Sequence, residues 1–321
     1  MYSLIVTVLP WFALIVASSA GAQPFPHRPI RLVVPTAASG TQDTNARAVA
    51  KQVASQIGQQ IVIDNRGGAN GIIGAQIVAN AAPDGYTLLY TGNAFIINQS
   101  VVKNLPYSLS KDFVPITSVA ESKGALLLVH PSLPAHSVTE LIVLSKTKPL
   151  SYGSPGFGNT LHLITEVFNV LAGTTLLHVP YKGSGPALAA LLGNEVQVLF
   201  IPPTVAVQHV KVGRLRALGY GGAKRLEALP EVPIIAEAGL PEFRIPRSWH
   251  AMFAPAKTSN QIINKIHAEI RAALDAPGLR DFLLAADFEP VGQPPVEFQK
   301  SFQGDIKQWG GIARLAKITP Q

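Results

Sequence analysis

Short apolar runs alternate with helix-periodic segments along residues 30–90 of the chain. Three runs, Ile30–Val34, Ile61–Ile63 and Tyr86–Tyr90, have the length and composition of buried strands. The segments that follow Asp43 and Gly71 place apolar residues at helical spacing. Strands that alternate with helices in this way form a parallel sheet covered by helices on both faces. The pattern therefore predicts an α/β fold.

The alternation is interrupted near the middle of the chain and then resumes. Two apolar runs, VPITSVA and ALLLV, flank the polar segment Glu121–Gly124, and a predicted strand at Ser248–Phe253 follows a proline-rich stretch. We predict that the chain crosses to a second domain near Lys123 and returns near Ser248. The expected division is residues 23–123 and 248–321 in the first domain and 124–247 in the second. Two doubly wound domains joined by such a two-crossing hinge leave a ligand cleft between them.

The second domain and the C-terminal segment contain further predicted strands and helices. Further strands are predicted at Leu150–Gly153, Leu176–Val179, Val196–Phe200 and Leu215–Gly219, and helices at Val138–Lys146, Thr160–Leu171, Pro186–Leu192, Gln261–Leu274, Gly278–Ala285 and Pro295–Ile312.

Residues 1–22 are typical of a secretory signal peptide. Leu4–Val16 is apolar, and Ala20-Gly21-Ala22 is a small-residue cleavage site. We predict export to the periplasm with a mature N-terminus at Gln23, although no Lys or Arg precedes the apolar segment. The 13-residue apolar segment is shorter than the roughly 20 residues that a membrane span needs.

Composition excludes several classes of function. The chain has no cysteine, which rules out a thiol nucleophile, a disulfide framework, a thiolate metal site and a lipid-modified cysteine at the cleavage site. The net charge is +7, but the Lys and Arg residues are scattered and form no basic run that would follow a nucleic acid. We therefore expect no nucleic-acid partner.

The turn after the first strand contains only small residues. Pro35 ends the strand, and Thr36, Ala37, Ala38, Ser39, Gly40 and Thr41 lead into the first helix. The backbone N–H groups and the positive end of the helix dipole would face the space beyond the strand. Such a turn either holds an anion without help from Lys or Arg, or is an ordinary strand–helix connection.

A second turn of the same kind lies at Gly153–His162. Gly156 and Gly158 allow close approach of backbone to a ligand, and Asn159 or Thr160 is suited to cap the helix that follows. The turn again offers N–H groups and hydroxyls but no cation. Two helix N-termini that face each other across one cleft suit a molecule with a carboxylate at each end.

Several stretches resemble one family of proteins in the family's own order. They include PHRPIRLVVP, VIDNRGGANGIIGAQIVANAAPDGYTLL, YSLSKDFVPIT, LHVPYKGSGPALAALLGNEVQVLF, LPEVPIIAEAGLP and SWHAMFAPA. The chain resembles the extracytoplasmic solute-binding proteins of tripartite tricarboxylate transporters, the Bug family. The resemblance implies a fold like that of type II periplasmic binding proteins, two α/β domains hinged like a Venus flytrap. It also implies a small carboxylate ligand, no cofactor, and membrane permease subunits or a sensor kinase as partner of a monomer.

Three departures from the family pattern bear on the ligand. Thr36 stands where the family usually has an aromatic residue that covers the ligand, and Ser39 replaces the first glycine of a pair. Ile201-Pro202-Pro203 also stands where the family usually has an acidic residue. The resemblance therefore implies a more open or more polar pocket in this chain.

We predict that ligand contacts come from one set of residues in each domain. Asp43 either meets an ammonium group or caps the first helix at Asn45, and His162 either donates to a carboxylate or packs as a neutral ring. Arg47, Lys182 and Trp249 are expected to be structural or solvated. The predicted contacts are Thr36, Ala37, Ala38, Ser39, Thr41, Asp43, Thr91 and Asn93 in the first domain, and Ser154, Gly156, Gly158, Asn159, Thr160 and His162 in the second.

No set of residues predicts catalysis or a metal site. The chain contains no GxSxG, HExxH or P-loop motif, and its eight histidines are dispersed. We therefore expect a binding protein and no enzyme. The alternatives are an amino-acid or aromatic-acid binding protein of the same fold and, in another class, a secreted hydrolase that uses Ser154.

Overall fold

The structure is a computed structural model that describes residues 25–320. The predicted signal peptide and the cleavage site before Gln23 lie outside the described residues. The strands are β1 Ile30–Val34, β2 Ile61–Asn65, β3 Thr87–Gly92, β4 Phe113–Ser122, β5 Leu126–Val129, β6 Ser151–Ser154, β7 Leu177–Pro180, β8 Val198–Ile201, β9 Arg216–Tyr220, β10 Trp249–Pro255 and β11 Phe288–Pro290.

The α-helices account for most of the remaining chain. They are α1 Thr41–Ile57, α2 Ile72–Ala79, α3 Ala94–Val101, α4 Val138–Thr147, α5 Thr160–Ala172, α6 Ser184–Leu192, α7 Pro203–Lys211, α8 Asn260–Leu274, α9 Pro277–Ala285 and α10 Pro295–Leu315. A single turn of 3-10 helix, Ala69–Gly71, precedes α2.

The strands form two separate sheets, which confirms the α/β fold with two sheet-containing domains. The first sheet has the order β11-β4-β10-β3-β1-β2 and the second β7-β6-β8-β5-β9. The pairs β1–β2, β1–β3, β6–β7 and β6–β8 are parallel, as the strand–helix alternation predicts. The strands at the crossings, β4, β5, β9 and β10, pair antiparallel, because each continues from or into the other sheet.

Each sheet is buried on both faces. On one face of the first sheet, α1 packs through Ala46, Val49 and Val53 in a core shared with Ile266 and Ile270 of α8. The opposite face packs against α3 and α10, and this core continues without a break into the second domain through α5. Helix α10 thus contacts elements of both domains. Among the described helices, none combines the length and the apolar composition that a bilayer span needs.

Two helices were not predicted from the sequence pattern. α3 has the sequence AFIINQSV, whose aromatic and β-branched residues are more typical of a strand. α7 begins at Pro203, and proline at the first position of a helix is a start signal that could have revealed it. The first helix begins at Thr41, two residues before Asp43, because Gly40 and not Asp43 occupies the N-cap position.

The chain passes between the sheets at two places, residues 123–125 and 221–248. Tyr220 closes β9 at this point, and a Cβ atom on Gly124 would lie only 2.6 Å from its ring. The Tyr220 hydroxyl donates to Asp287 Oδ2 of the first domain over 2.8 Å. Both crossings therefore pack around the Tyr220 ring, and the Tyr220 hydroxyl is hydrogen-bonded to the first domain.

Candidate functional site

The two predicted turns lie at equivalent places in their sheets. Because β1–β3 are parallel, the loops that follow β1 and β2 leave the sheet at the same edge, and the same holds for the loops after β6 and β7. A Cβ atom on Gly67, after β2, would lie 3.3 Å from the backbone nitrogen of Ala37. A Cβ atom on Gly158 would lie 2.7 Å from Val101 Cγ2 and 3.2 Å from Asn70 Nδ2. The loop of the second domain therefore touches the first domain beside the β1–α1 turn.

The β1–α1 turn, residues 35–40, is stiffened by a buried carboxylate. Asp43 is 1% exposed, and its Oδ2 accepts hydrogen bonds from the backbone N–H of Ser39 over 2.8 Å and from Arg47 Nε over 3.0 Å. Its Oδ1 accepts from Asn65 Nδ2 over 2.8 Å. Burial opposes ionisation, but these hydrogen bonds and the charge of Arg47 hold the pKa of Asp43 below its usual range.

This geometry decides between the two predicted roles of Asp43. Its carboxylate is saturated by its own loop and is not free to meet an ammonium group. The prediction that Asp43 accepts from the N–H of Asn45 as a helix cap is wrong. The carboxylate accepts instead from the N–H of Ser39, which precedes the helix. Arg47 is structural as predicted, since it bridges Asp43 and Asn65 Oδ1.

The turn offers several unused backbone donors. Gly40 caps α1 without a side-chain hydrogen bond, and the N–H groups of Thr41 and Gln42 have no acceptor within the helix because they lie in its first turn. Residues 37–40 are exposed. No Lys or Arg lies in the turn, so an anion there would be met by backbone donors at the N-terminus of a 17-residue helix. Arg47 offsets the charge of Asp43 in the first turn of that helix.

Thr36, Thr91 and Asn93 occupy less open positions in the first domain. The Thr36 carbonyl accepts from Asn65 Nδ2, and its hydroxyl oxygen is buried with no hydrogen-bond partner among residues 25–320. Thr91 is buried in β3. Asn93 donates to the Arg247 carbonyl over 3.2 Å and accepts from the backbone N–H of Trp249 over 2.7 Å. The amide of Asn93 thus joins the end of β3 to the returning strand.

The β6–α5 turn, residues 155–159, has its own internal hydrogen bonds. Asn159 is the N-cap of α5, where its Oδ1 accepts from the N–H of Leu161 over 3.0 Å, and Thr160 is the first residue of the helix. Gly156 and Gly158 have φ angles of 144° and 72°, which other residues adopt only with strain. The Gly156 N–H donates to Ser154 Oγ, and the Gly158 N–H donates to His162 Nδ1, each over 3.2 Å.

A second histidine, His178, completes this cluster and was not predicted. It lies on β7 opposite Tyr152 of β6, and its Nε2 is 2.6 Å from Ser154 Oγ. The rings of His162 and His178 stack with centroids 4.0 Å apart. Burial lowers the pKa of His162 to about 3, with a further contribution from His178, and burial lowers that of His178 to about 4. Both rings are therefore neutral near pH 7.

The Ser154–His178 contact has two of the three parts of a hydrolytic triad. Ser154 is fully buried, so a substrate carbonyl has no access to its hydroxyl. Within residues 25–320, no carboxylate forms a hydrogen bond to the His178 ring, and the third group that orients a catalytic histidine is missing there. The arrangement supports a hydrogen-bonded loop and not a nucleophile.

Lys182 and Trp249 have different surroundings. Lys182 is exposed before the N-terminus of α6, next to Gly183, whose N–H donates to the Pro155 carbonyl of the β6–α5 turn. Trp249 is buried in the first sheet, and its Nε1 donates to Asp305 Oδ2 over 2.8 Å, so it belongs to the core of the first domain. Arg247 forms ion pairs with Glu121 and Asp305 in the same region.

The sequence matches one protein family and relatives within it. The family model of the tripartite tricarboxylate transporter family receptor, TctC, matches residues 45–317. Protein BugT of Bordetella pertussis is 33% identical over 93% of this chain and 92% of its own.

Solved structures agree in fold over nearly the whole described chain. An R. palustris protein, Rpa4515, whose structure was solved with adipate, is 34% identical, with a TM-score of 0.86 over 92% of this chain and 100% of its own. MatC from Rhodopseudomonas palustris, solved with bound malate, is 32% identical, with a TM-score of 0.81 over 90% of this chain and 99% of its own.

The family and these structural neighbours are solute-binding proteins and not enzymes. The match to the family model covers most of the sequence, and the relatives align along nearly their full lengths. The chain therefore belongs to the tripartite tricarboxylate transporter receptor family, TctC, which includes the Bug proteins.

Proposed function

We propose that this protein captures a small organic acid with two or three carboxylates in the periplasm and delivers it to a membrane permease pair or to a sensor kinase. The observation that carries the proposal is a pair of strand–helix turns, residues 35–40 and 155–159, that contain no Lys or Arg. Gly158 of the second turn lies against Asn70 and Val101 of the first domain, and Gly67, close to Asn70 in sequence, lies against Ala37 of the first turn. One carboxylate would bind at each turn.

The chemistry of each turn suits an anion with several oxygens. In the first domain, the N–H groups of residues 37–42 not used by the loop itself would donate, with the N-terminus of α1 behind them. In the second domain, Ser154 and His162 use the N–H groups of Gly156 and Gly158, which leaves Phe157 and Thr160 as donors. Bridging water would complete the shell.

The relatives support the ligand class. Rpa4515 was solved with adipate and MatC with malate, and both molecules carry a carboxylate at each end. The family description supports a transporter partner. The two passages between the sheets support closure of one domain onto the other around the ligand.

The amino-acid alternative lacks a site for the ammonium group. Asp43 is the acidic residue of the first turn, and its carboxylate already accepts from Ser39, Arg47 and Asn65. An ammonium group would have to displace these donors from a buried position. We therefore favour an acid without an amino group.

A thermal-shift screen tests the proposal. The panel contains aliphatic dicarboxylates of four to six carbons, hydroxylated acids such as malate and citrate, and aromatic acids. A true ligand at 100 times its dissociation constant stabilises the folded state by about 2.7 kcal/mol. We expect at least one acid to raise the melting temperature without being consumed, and to reduce the radius of gyration in X-ray scattering. Hydrolysis of methyl esters of the same acids, with release of methanol, would favour the hydrolase alternative.

A further inference from the structure

A column of four aromatic rings lies beneath the β6–α5 turn. The ring of Tyr152 stacks on His178 at 4.9 Å, His178 stacks on His162 at 4.0 Å, and Phe157 of the turn lies 5.3 Å from His162. Tyr152 and His162 are buried, and the hydroxyl of Tyr152 donates to Glu166 on α5. The column is therefore fixed at its base and ends at the turn.

Two members of the column are connected to the backbone of the turn by hydrogen bonds. His162 Nδ1 accepts from the N–H of Gly158. His178 Nε2 contacts Ser154 Oγ, which accepts from the N–H of Gly156. Both glycines have positive φ angles, and without side chains they have the widest choice of backbone conformations. The hydrogen bonds select one conformation from that range.

The first of these contacts requires a defined protonation state. Because Nδ1 of His162 accepts, its proton must reside on Nε2, and the ring must be neutral. Burial favours the neutral form of both rings. The charged groups that face the column are Glu166, which accepts from Tyr152, and Lys317, which lines the same pocket as His178 and Glu166. None of the hydrogen bonds to the turn involves either group.

We infer that His162, His178 and Ser154 are positioning residues that hold the β6–α5 turn in its ligand-binding shape without touching the ligand. This inference rests on the proposed function, because it concerns the same site. We call these three residues, His162, His178 and Ser154, the clamp. The clamp fixes which N–H groups of the turn point outward. It also sets the position of Gly158, which lies against Val101 and Asn70 of the first domain. Loss of the clamp would therefore weaken both the ligand contacts and the closed arrangement.

The first experiment uses the protein without ligand. Nitrogen-15 NMR of wild type should show His162 as the neutral tautomer with its proton on Nε2 from pH 6 to 8, and a protected Gly158 amide. His162→Phe retains an aromatic ring but removes the acceptor, so exchange of the Gly158 amide should accelerate at least about tenfold. His162→Asn places an amide oxygen near the same point and should restore part of the protection. A proton on Nδ1 of His162, or equal exchange in all three proteins, would overturn the inference.

The second experiment measures ligand affinity by calorimetry, with the acid that gives the largest thermal shift. We expect His162→Phe and Ser154→Ala to weaken binding at least about tenfold, His178→Phe to weaken it similarly, and His162→Asn to bind more tightly than His162→Phe. His136→Phe is the matched control, because His136 is exposed at the start of another helix. Unchanged affinity in the folded His162→Phe variant would contradict the clamp. If wild type binds no acid in the panel, the proposed function fails, and the NMR result still decides on the clamp.

Discussion

Tyr220 and Asp287 join the two sheet-containing domains where the chain passes between the sheets. The Tyr220 hydroxyl, at the end of β9, donates to Asp287 Oδ2 over 2.8 Å, and the Asp287 carbonyl accepts from the N–H of Lys123 on the first crossing. Asp287 is 7% exposed and has a φ angle of 61°. The burial of its carboxyl raises the pKa of Asp287 to about 6, despite the Tyr220 hydrogen bond and the charge of Lys123.

The raised pKa of Asp287 stabilises the folded state as the pH falls from 7.5 to 5, whereas the lowered pKa values of the buried His162, His178 and His250 destabilise it over the same range. The contribution of Asp287 is therefore the difference between wild type and Asp287→Asn. The folded state takes up a proton near pH 6, whereas the unfolded chain does so near 3.8, so protonation in this window stabilises the folded state. One pKa unit corresponds to about 1.4 kcal/mol, and about one unit of the shift lies above pH 5, so Asp287 contributes about 1.4 kcal/mol between pH 7.5 and 5. Urea unfolding of wild type and Asp287→Asn at several pH values measures it.

Asp287→Asn is a conservative test of this linkage. Asparagine tolerates a positive φ and still accepts from Tyr220. The variant should be as stable as wild type or more stable at pH 7.5, and by pH 5 it should lose about 1.4 kcal/mol relative to wild type. The buried histidines and Asp305, whose pKa burial also raises, are present in both proteins and cancel in this difference. An identical pH dependence in both proteins would show that Asp287 does not titrate as described.

Arg247 is predicted to be essential for the stability of the segment that returns to the first domain. It donates to Glu121 over 2.7 Å and pairs with Asp305 over 3.1 Å, and the Asp305 side chain is 7% exposed. Arg247→Met would leave a buried carboxylate without its cation, which costs about 3 kcal/mol or more in the free energy of unfolding. Arg225→Met is the control, since its pair with Glu237 is half exposed and should cost less than about 1 kcal/mol. Equal losses would contradict the burial argument.

Recognition by backbone N–H groups predicts that distorting the turn reduces affinity more than removing a nearby charge. Gly156 has a φ angle of 144°, so Gly156→Val should distort the turn and reduce affinity for the acid at least about tenfold. Lys182→Ala removes an exposed charge close to the site and should reduce affinity less. Calorimetry on both variants, with unfolding curves as a check of the fold, makes the comparison. A larger loss from Lys182→Ala would show that a cation carries recognition.

Thr36 is predicted to influence ligand size. The family pattern that the sequence resembles has an aromatic residue there, so Thr36 leaves room for a bulkier or more hydroxylated acid. The Thr36 hydroxyl oxygen has no hydrogen-bond partner among the described residues. We expect Thr36→Phe to shift preference from citrate-like or aromatic acids toward four-carbon diacids, as measured by calorimetry. An unchanged preference would mean that Thr36 points away and that another residue, such as Phe95 or Phe157, covers the ligand.

Features that depend on local sequence were predicted correctly. The strand–helix alternation gave the fold class, and the run Ile30–Val34 is β1 with the same bounds. Asn159 or Thr160 was predicted to cap α5, and Asn159 does so, because its Oδ1 accepts from the N–H of Leu161 only two residues on. Such signals are contained within one or two turns of chain, where propensity and spacing act directly.

Features that depend on the pairing of distant segments were not predicted. His178 reaches Ser154 only through the register of β6 and β7, which places residues 24 positions apart side by side. β10 inserts between β3 and β4, and no local pattern specifies its neighbours. α3 becomes a helix despite its strand-like composition, because its apolar residues pack against α10. Tertiary contacts decide each of these cases.

The central claim is that two carboxylates of one small acid are bound by backbone donors of the two domains. Calorimetric titration with an acid from the thermal-shift screen, beside its diamide of the same length, tests this claim most directly. The diamide retains size and shape but has no negative charge to interact with the helix N-termini. The account predicts saturable one-to-one binding of the acid and at least about a hundredfold weaker binding of the diamide. Equal binding of the two compounds, or no binding of any acid in the panel, would contradict it.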